Sequence, residues 1–196
     1  MCINGTGSLN SWLKHNVTKD GEDYPQMNDL AAQAPIGADG LVILPYGNSA
    51  ERTLENKNIG ASVHGLQFDI HSTAHLLRAA QEGIVFGLYY GLKIMRDMQI
   101  EINTVRAGDA NMFLSPLFAE AFATVTGARV ELYNTDGSQG AARGAGIGAG
   151  IYQSEKEAFD GLKTTRTIDP DPSQADAFQE AFEKWEQSLQ LALAQT

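Results

Sequence analysis

The sequence predicts an α/β domain. Short runs of aliphatic and β-branched residues alternate with stretches of helical periodicity from residue 41 onward, and such alternation builds a sheet covered by helices. Two strand-to-helix turns, at 107–113 and 134–140, carry glycine, as open α/β sheets require where a chain reverses tightly. The chain ends in an amphipathic pattern with Phe178, Phe182, Trp185, Leu189 and Leu193 along one face, the stripe of a helix packed on a core.

Taken in order, "CINGTGSLNSWLKHN" begins inside an apparent structural element, without the loose leader usual at a terminus. A polar, turn-rich stretch follows, with a short amphipathic piece near Met27 to Ala32. "LVILP" at 41–45 reads as a strand stopped by Pro45, and "YGNSAERTLENKNIGA" as a surface loop. "SVHGLQF" reads as a second strand. From Ser72, a good N-cap, the apolar residues Leu76, Leu77, Ala80, Ile84, Leu88, Leu92 and Met95 keep helical spacing to Met98.

Gly83, Gly87 and Gly91 share one stripe of that helix. Interior glycines cost roughly 1 kcal/mol each against alanine, so the stripe predicts close approach of another backbone. "INTVRA" and "RVELY" are strands around a helix from Ser115 to Thr126 that Gly127 closes. "GSQGAARGAGIGAGIY" opens a glycine/alanine helix, "SEKEAFDGL" a short one, and Ser173 to about Leu193 the last. One domain over 1–196 is expected, with a core at about 3–160 and a helical extension at about 173–194. No internal repeat is visible.

The 196 residues carry a formal charge of −10 with no Lys/Arg run, which argues against nucleic acid or an anionic membrane surface as partner. The most apolar stretch, "GIVFGLYYGL" at 83–92, is about half a bilayer span and reads as buried helix. The single cysteine, Cys2, excludes an internal disulfide framework, and no signal-peptide pattern is present. A cytoplasmic protein is expected.

The glycine turns are the best ligand candidates, since helix N-terminal amides and close backbone approach suit a nucleotide. Neither matches a dinucleotide fingerprint or a phosphate loop, and the alternative is a turn required only for packing. His64, His71 and His75 fall within twelve residues. A metal site is one reading, but no cysteine or H-E-x-x-H pattern supports it, and structural or surface histidines are the other. Asp39, Asp69, Asp109 and Asp136 sit near turns, where caps and Asx turns compete with catalytic roles. For Glu51 and Arg52 an ion pair within the loop competes with a ligand contact.

Several of these stretches together resemble the C-terminal domain of the FGGY carbohydrate kinases, most of all the xylulokinase subfamily. "INGTGSLNSWLK" is similar to that domain's small-residue turn followed by a helix with Trp. "MNDLAAQAPIGADGLVILPY" resembles its run into the strand before a G-E-R-T loop, matched here by Ala50, Glu51, Arg52 and Thr53. In "GASVHGLQFDIHSTAHLLRAAQEGIVFGL", Gly65-Leu66 is followed after eight residues by His75-Leu76, Arg78-Ala79 and Glu82-Gly83, with Gln81 in a usually apolar slot. "VRAGDANMFLSPLF" is similar to the family's adenosine turn, R-x-x-G-G-G-A and then S-P-L-W, and "DGSQGAARGAGIGAG" to its closing glycine/alanine helix. Of the three turn glycines only Gly108 is kept, and the turn is about one residue longer.

The resemblance covers residue 3 to about 160. It implies a ribonuclease-H-like (actin/hexokinase-like ATPase) fold, the C-terminal half of a two-domain sugar kinase whose first strands precede this segment. It implies adenosine contacts of ATP or ADP at Gly108, Asp109 and Asn111, phosphate or hinge contacts at Gly137 and Gly140, and a cleft-facing loop at Glu51, Arg52 and Thr53. Mg²⁺ is the implied metal, carried with the nucleotide and not by ligands from this chain. The catalytic Asp and most sugar contacts belong to the N-terminal half, so the segment alone is expected to be inactive. The G-T-G at 5–7 is not the family's phosphate loop. The substrate the resemblance implies is a pentulose, D-xylulose converted to xylulose 5-phosphate; two other readings stay open: a non-catalytic nucleotide-binding or assembly module such as a split subunit, and a kinase of another sugar or polyol (glycerol, ribulose, gluconate). An unpaired sheet edge would favour homo-oligomers.

Overall fold

The computed structural model describes residues 3–19 and 21–196. The expectation resting on Cys2 lies outside them. Helix α1 (Thr6–Asn16) follows Gly5, which packs against the carbonyl of Pro45 so closely that a Cβ would lie 1.6 Å from its oxygen. Helix α2 (Tyr24–Ala31) starts at a capping box, in which Asp23 accepts from Gln26 N–H and Gln26 accepts in return. A tight left-handed passage at Gly37–Gly40 leads into β1 (Val42–Tyr46), which is buried throughout. β2 (Gly60–His64) returns antiparallel to it.

Helix α3 (Thr73–Asp97) is the spine of the molecule. Its first turn is held at Ser72, whose N–H donates to His75 Nδ1 at 3.2 Å. β3 (Thr104–Gly108), α4 (Pro116–Thr126) and β4 (Arg129–Tyr133) form a β-α-β unit with parallel strands. Ser115 caps α4 by accepting from Phe118 N–H, and Gly127 ends it at φ +65°. Beyond α5 (Gly137–Gly148) and α6 (Glu155–Ala158), β5 (Thr164–Ile168) pairs antiparallel with β4, giving the order β3-β4-β5. α7 (Ala175–Leu193) closes the described chain.

Of the glycine stripe of α3, Gly83 meets another backbone as predicted, and Gly87 meets side chains instead. A Cβ on Gly83 would sit 2.2 Å from the Ile43 carbonyl oxygen, and one on Gly87 would touch Ile3 at 3.0 Å. β1 therefore lies directly on α3. The same Ile43 oxygen accepts from Trp185 Nε1 at 3.1 Å, so α7 docks on β1 as well. Phe178, Phe182, Trp185 and Leu189 share one core with Leu44, Tyr46, Ile84, Phe118, Val130 and Leu132. The helix expected as an extension is thus part of the core, because its aromatic face covers β1 and α3.

Three local expectations differ. The second strand ends at His64 and not at Phe68, because Gly65 turns at φ +74° against the Gly40 carbonyl. Strand β5 was not foreseen in "TTRTI". Gln81, polar in an apolar slot, is buried as a bridge: its Nε2 donates to Asn28 Oδ1 at 3.0 Å, and its Oε1 accepts from the Ser115 hydroxyl at 2.7 Å. It ties α2, α3 and the cap of α4 together. Nearby, Arg78 pairs with buried Glu82 at 2.7 Å and donates to Ala34 O, while Glu82 accepts from Gly37 N–H. Burial raises the Glu82 pKa and the Arg78 charge opposes that rise. Among the described residues no helix is long and apolar enough to cross a membrane.

Candidate functional site

Ligands of open α/β sheets bind beyond the carboxyl ends of parallel strands, and here β3 and β4 end side by side at Gly108 and Tyr133. Asp109 N–H donates to Tyr133 O at 2.8 Å, so the two exits remain coupled past the last strand residue. A Cβ on Gly108 would meet Thr135 O at 2.3 Å and Asp136 Cα at 3.1 Å. Only glycine lets the two turns pack this tightly. Asn111 then adopts φ +54°, a left-handed geometry that asparagine tolerates better than most residues.

The second turn leads into α5. Asp136 is its N-cap, with Oδ1 accepting from Gln139 N–H at 2.8 Å and from the Ser138 hydroxyl at 2.6 Å. These bonds hold the Asp136 carboxyl below its ordinary pKa, the Ser138 bond being the larger cause. Between the turns and α3 opens a cleft of about 430 Å³, within the size range of small-molecule sites. Gly108, Asn111, Asp136 and Gly137 line one side, and Ile84 and Leu88 of α3 the other. Thr6, at the start of α1, also reaches it, although the sequence singled out no role for that residue. Among the described residues no lysine or arginine lines the cleft. An apolar wall with a few amide, hydroxyl and carboxylate groups fits a base and ribose better than a polyphosphate.

The structure therefore brings Gly108, Asn111 and Gly137 together and sets the other predicted residues apart. Asp109 turns its carboxylate to β5: Arg166 NH2 donates to Oδ1 at 2.6 Å and the Thr165 hydroxyl donates to Oδ2 at 2.8 Å. The Arg166 bond, helped by Thr165, keeps the Asp109 pKa low. Gly140 lies one turn into α5 with open space around it. Glu51 is fully buried and makes no pair with Arg52; its two oxygens accept from Asn4 N–H at 3.0 and 3.1 Å. Arg52 and Thr53 line a separate groove of about 800 Å³ against the ends of α3 and α7.

The three histidines each make local hydrogen bonds. His64 Nε2 bonds Ser62 Oγ, His71 Nδ1 accepts from Gln67 N–H, and His75 bridges Ser72 to Asp39 Oδ2 at 3.0 Å. Among the described residues no group of three or more His, Cys, Asp or Glu is placed to hold a metal ion. Sequence reasoning missed Arg166 and Thr165. The only signal was the β-branched content of "TTRTI", which without apolar alternation does not define a strand until β4 pairs with it.

Residues 1–151 match the FGGY family of carbohydrate kinases, C-terminal domain. The chain belongs to this family. It is 30% identical over 168 residues to the L-xylulose/3-keto-L-gulonate kinase of Escherichia coli (strain K12), covering 83% of this chain and 32% of that protein. It is 30% identical over 205 residues to the xylulose kinase of Haemophilus influenzae, covering 94% and 40%. Among solved structures, a ligand-bound xylulose kinase from Lactobacillus acidophilus superposes with a TM-score of 0.81 at 23% identity, covering 98% of this chain and 39% of that one. Plasmodium falciparum glycerol kinase with ADP gives 0.74 at 22% identity, with 97% and 38% covered. The fold of this FGGY-family chain is that of the sugar kinases' C-terminal part. It spans about two fifths or less of the length of these relatives.

Proposed function

We propose that this FGGY-family chain is the nucleotide-binding portion of an ATP-dependent pentulose kinase, one that converts D-xylulose to xylulose 5-phosphate in the cytoplasm. The observation that carries the reading is the cleft at the ends of β3 and β4, where the Gly108 turn, Asn111 and the start of α5 meet an apolar wall from α3. Adenosine fits its size and its lining without cations. Gly108 supplies close backbone approach, Asn111 a hydrogen-bonding edge for the base, and Gly137 the open helix start. Gly140 would act further along α5, where the phosphates emerge, and Arg52 and Thr53 belong to a second face of the segment.

Mg²⁺ would travel with the phosphates, held by their oxygens and by water, which suits an ion that keeps much of its hydration. In the complete reaction a sugar hydroxyl attacks the γ-phosphate, and positioning together with charge neutralisation supplies most of the catalysis. The resemblance puts the proton-accepting Asp in the N-terminal half, so this segment would contribute nucleotide binding and no turnover.

Calorimetric titration with Mg-ATP and Mg-ADP, with sugar-dependent ADP production assayed on the same sample, tests this. Saturable binding without turnover is the expected result. Absence of binding, or turnover by the segment alone, would overturn it. A second reading, a split subunit, requires a front domain supplied by a separate chain. Recovery of turnover on mixing with a separately produced front half of a relative would favour that arrangement.

A further inference from the structure

Arg166 does more than balance one carboxylate. Its Nε and NH2 reach both oxygens of Asp109, at 3.3 and 2.6 Å, and NH2 also donates to the Phe113 carbonyl at 2.5 Å. One guanidinium thus grips both ends of the turn whose middle residues, Ala110, Asn111 and Met112, line the cleft. Thr165, the preceding residue of β5, adds its hydroxyl to Asp109 Oδ2. Asp109 N–H is fixed to Tyr133 O, so the turn is held from β4 and from β5 together.

We infer that Arg166 is a positioning residue for nucleotide recognition, clamping the 109–113 turn so that Asn111 keeps its left-handed geometry facing the cleft. This rests on the nucleotide reading above. It also gives Asp109 a role outside the cleft: where the resemblance leads one to expect a glycine, an aspartate is tolerated because its side chain turns away to β5. The fork geometry matters, because a planar guanidinium can hold a carboxylate with two bonds and still reach a carbonyl, whereas a lysine ammonium acts as a point charge. The pair is partly solvent-exposed, at 36% for Arg166 and 21% for Asp109, so its global stabilisation is small while its local effect on the turn is direct.

The test uses the full chain with Arg166→Gln, Arg166→Lys and Asp109→Asn. Amide hydrogen exchange is followed at 110–114 in the free protein, and Mg-ADP affinity by calorimetry. Arg166→Gln is expected to speed exchange in the turn and weaken Mg-ADP by about tenfold, in the middle of the range for coupled neighbours. Its melting midpoint should shift by only a few degrees or less. Arg166→Lys should not restore either property, and Asp109→Asn should act in the same direction as Arg166→Gln. Unchanged exchange in Arg166→Gln overturns the clamp, as does full recovery with lysine. Faster exchange with undiminished Mg-ADP affinity overturns its role in recognition. If the unmodified chain binds no Mg-ADP, the nucleotide reading falls and recognition falls with it, while exchange still decides whether Arg166 orders the turn.

Discussion

Replacing Gly108 by alanine probes the packing on which the cleft depends. The new Cβ would lie 2.3 Å from Thr135 O, whereas ordinary contact begins at 3.4 Å, so the two turns must part by about 1 Å. Neither atom can swing aside, because both belong to backbone. Overpacking of this kind costs about 1–3 kcal/mol. If the 2.8 Å bond from Asp109 N–H to Tyr133 O also fails, about 0.5–1.5 kcal/mol more is lost. At this chain length each kcal/mol lowers the melting midpoint by about 2–4 °C, so a fall of roughly 2–18 °C is expected in a thermal melt. Gly144→Ala is the control. It lies in α5 with nothing within 4 Å of its Cβ and should raise stability by up to about 1 kcal/mol. Mg-ADP titration should show weaker binding for the first variant and little change for the second. A Gly108→Ala protein that melts with the unmodified chain would refute the close contact and the argument built on it.

Arg78→Met should cost about 3–5 kcal/mol in urea denaturation, because it leaves the Glu82 carboxylate buried without its cation; Arg78→Met combined with Glu82→Leu should recover much of the loss, and no recovery would show that the pair is not the cause. The Tyr46 hydroxyl is buried without a hydrogen-bond partner among the described residues, and burial raises its pKa. Tyr46→Phe should therefore be neutral or stabilising by up to about 1 kcal/mol, and a clear loss would reveal a partner. Asp109 and Asp136 have lowered pKa values, so their contribution is complete above the unfolded value of about 3.9 and is lost as pH falls through the folded values. Asp109→Asn should flatten the acid limb of a stability-against-pH curve below about pH 4, and an unchanged limb would count against the Arg166 bond.

Periodicity located α3 and α7, because a helix that buries one face must repeat its apolar residues with the helical turn, while Ser115 and Gly127 marked the ends of α4. The close approach at Gly83 and Gly87 was legible for a related reason: glycines in a helix interior are costly unless something needs the space. The Gly108 turn was legible too, as the end of a strand followed by a capped helix. The run "TTRTI" gave no such warning, since five β-branched and polar residues without an apolar alternation commit to nothing until β4 offers an edge to pair with.

The sequence by itself determined an α/β chain with its strand-to-helix turns and their caps, because propensity, capping and hydrophobic period act within a few residues, while the FGGY family was legible only through the resemblance of its ordered motifs. Tertiary structure decided what faces what. Gln81 became a bridge and not a packing fault, Glu51 a buried acceptor for Asn4 and not the partner of Arg52, and Asp109 the holder of Arg166 across 57 residues of chain. Each partner lies far away in sequence, and the direction of a polar side chain is fixed by which distant donor or acceptor burial brings within hydrogen-bonding reach.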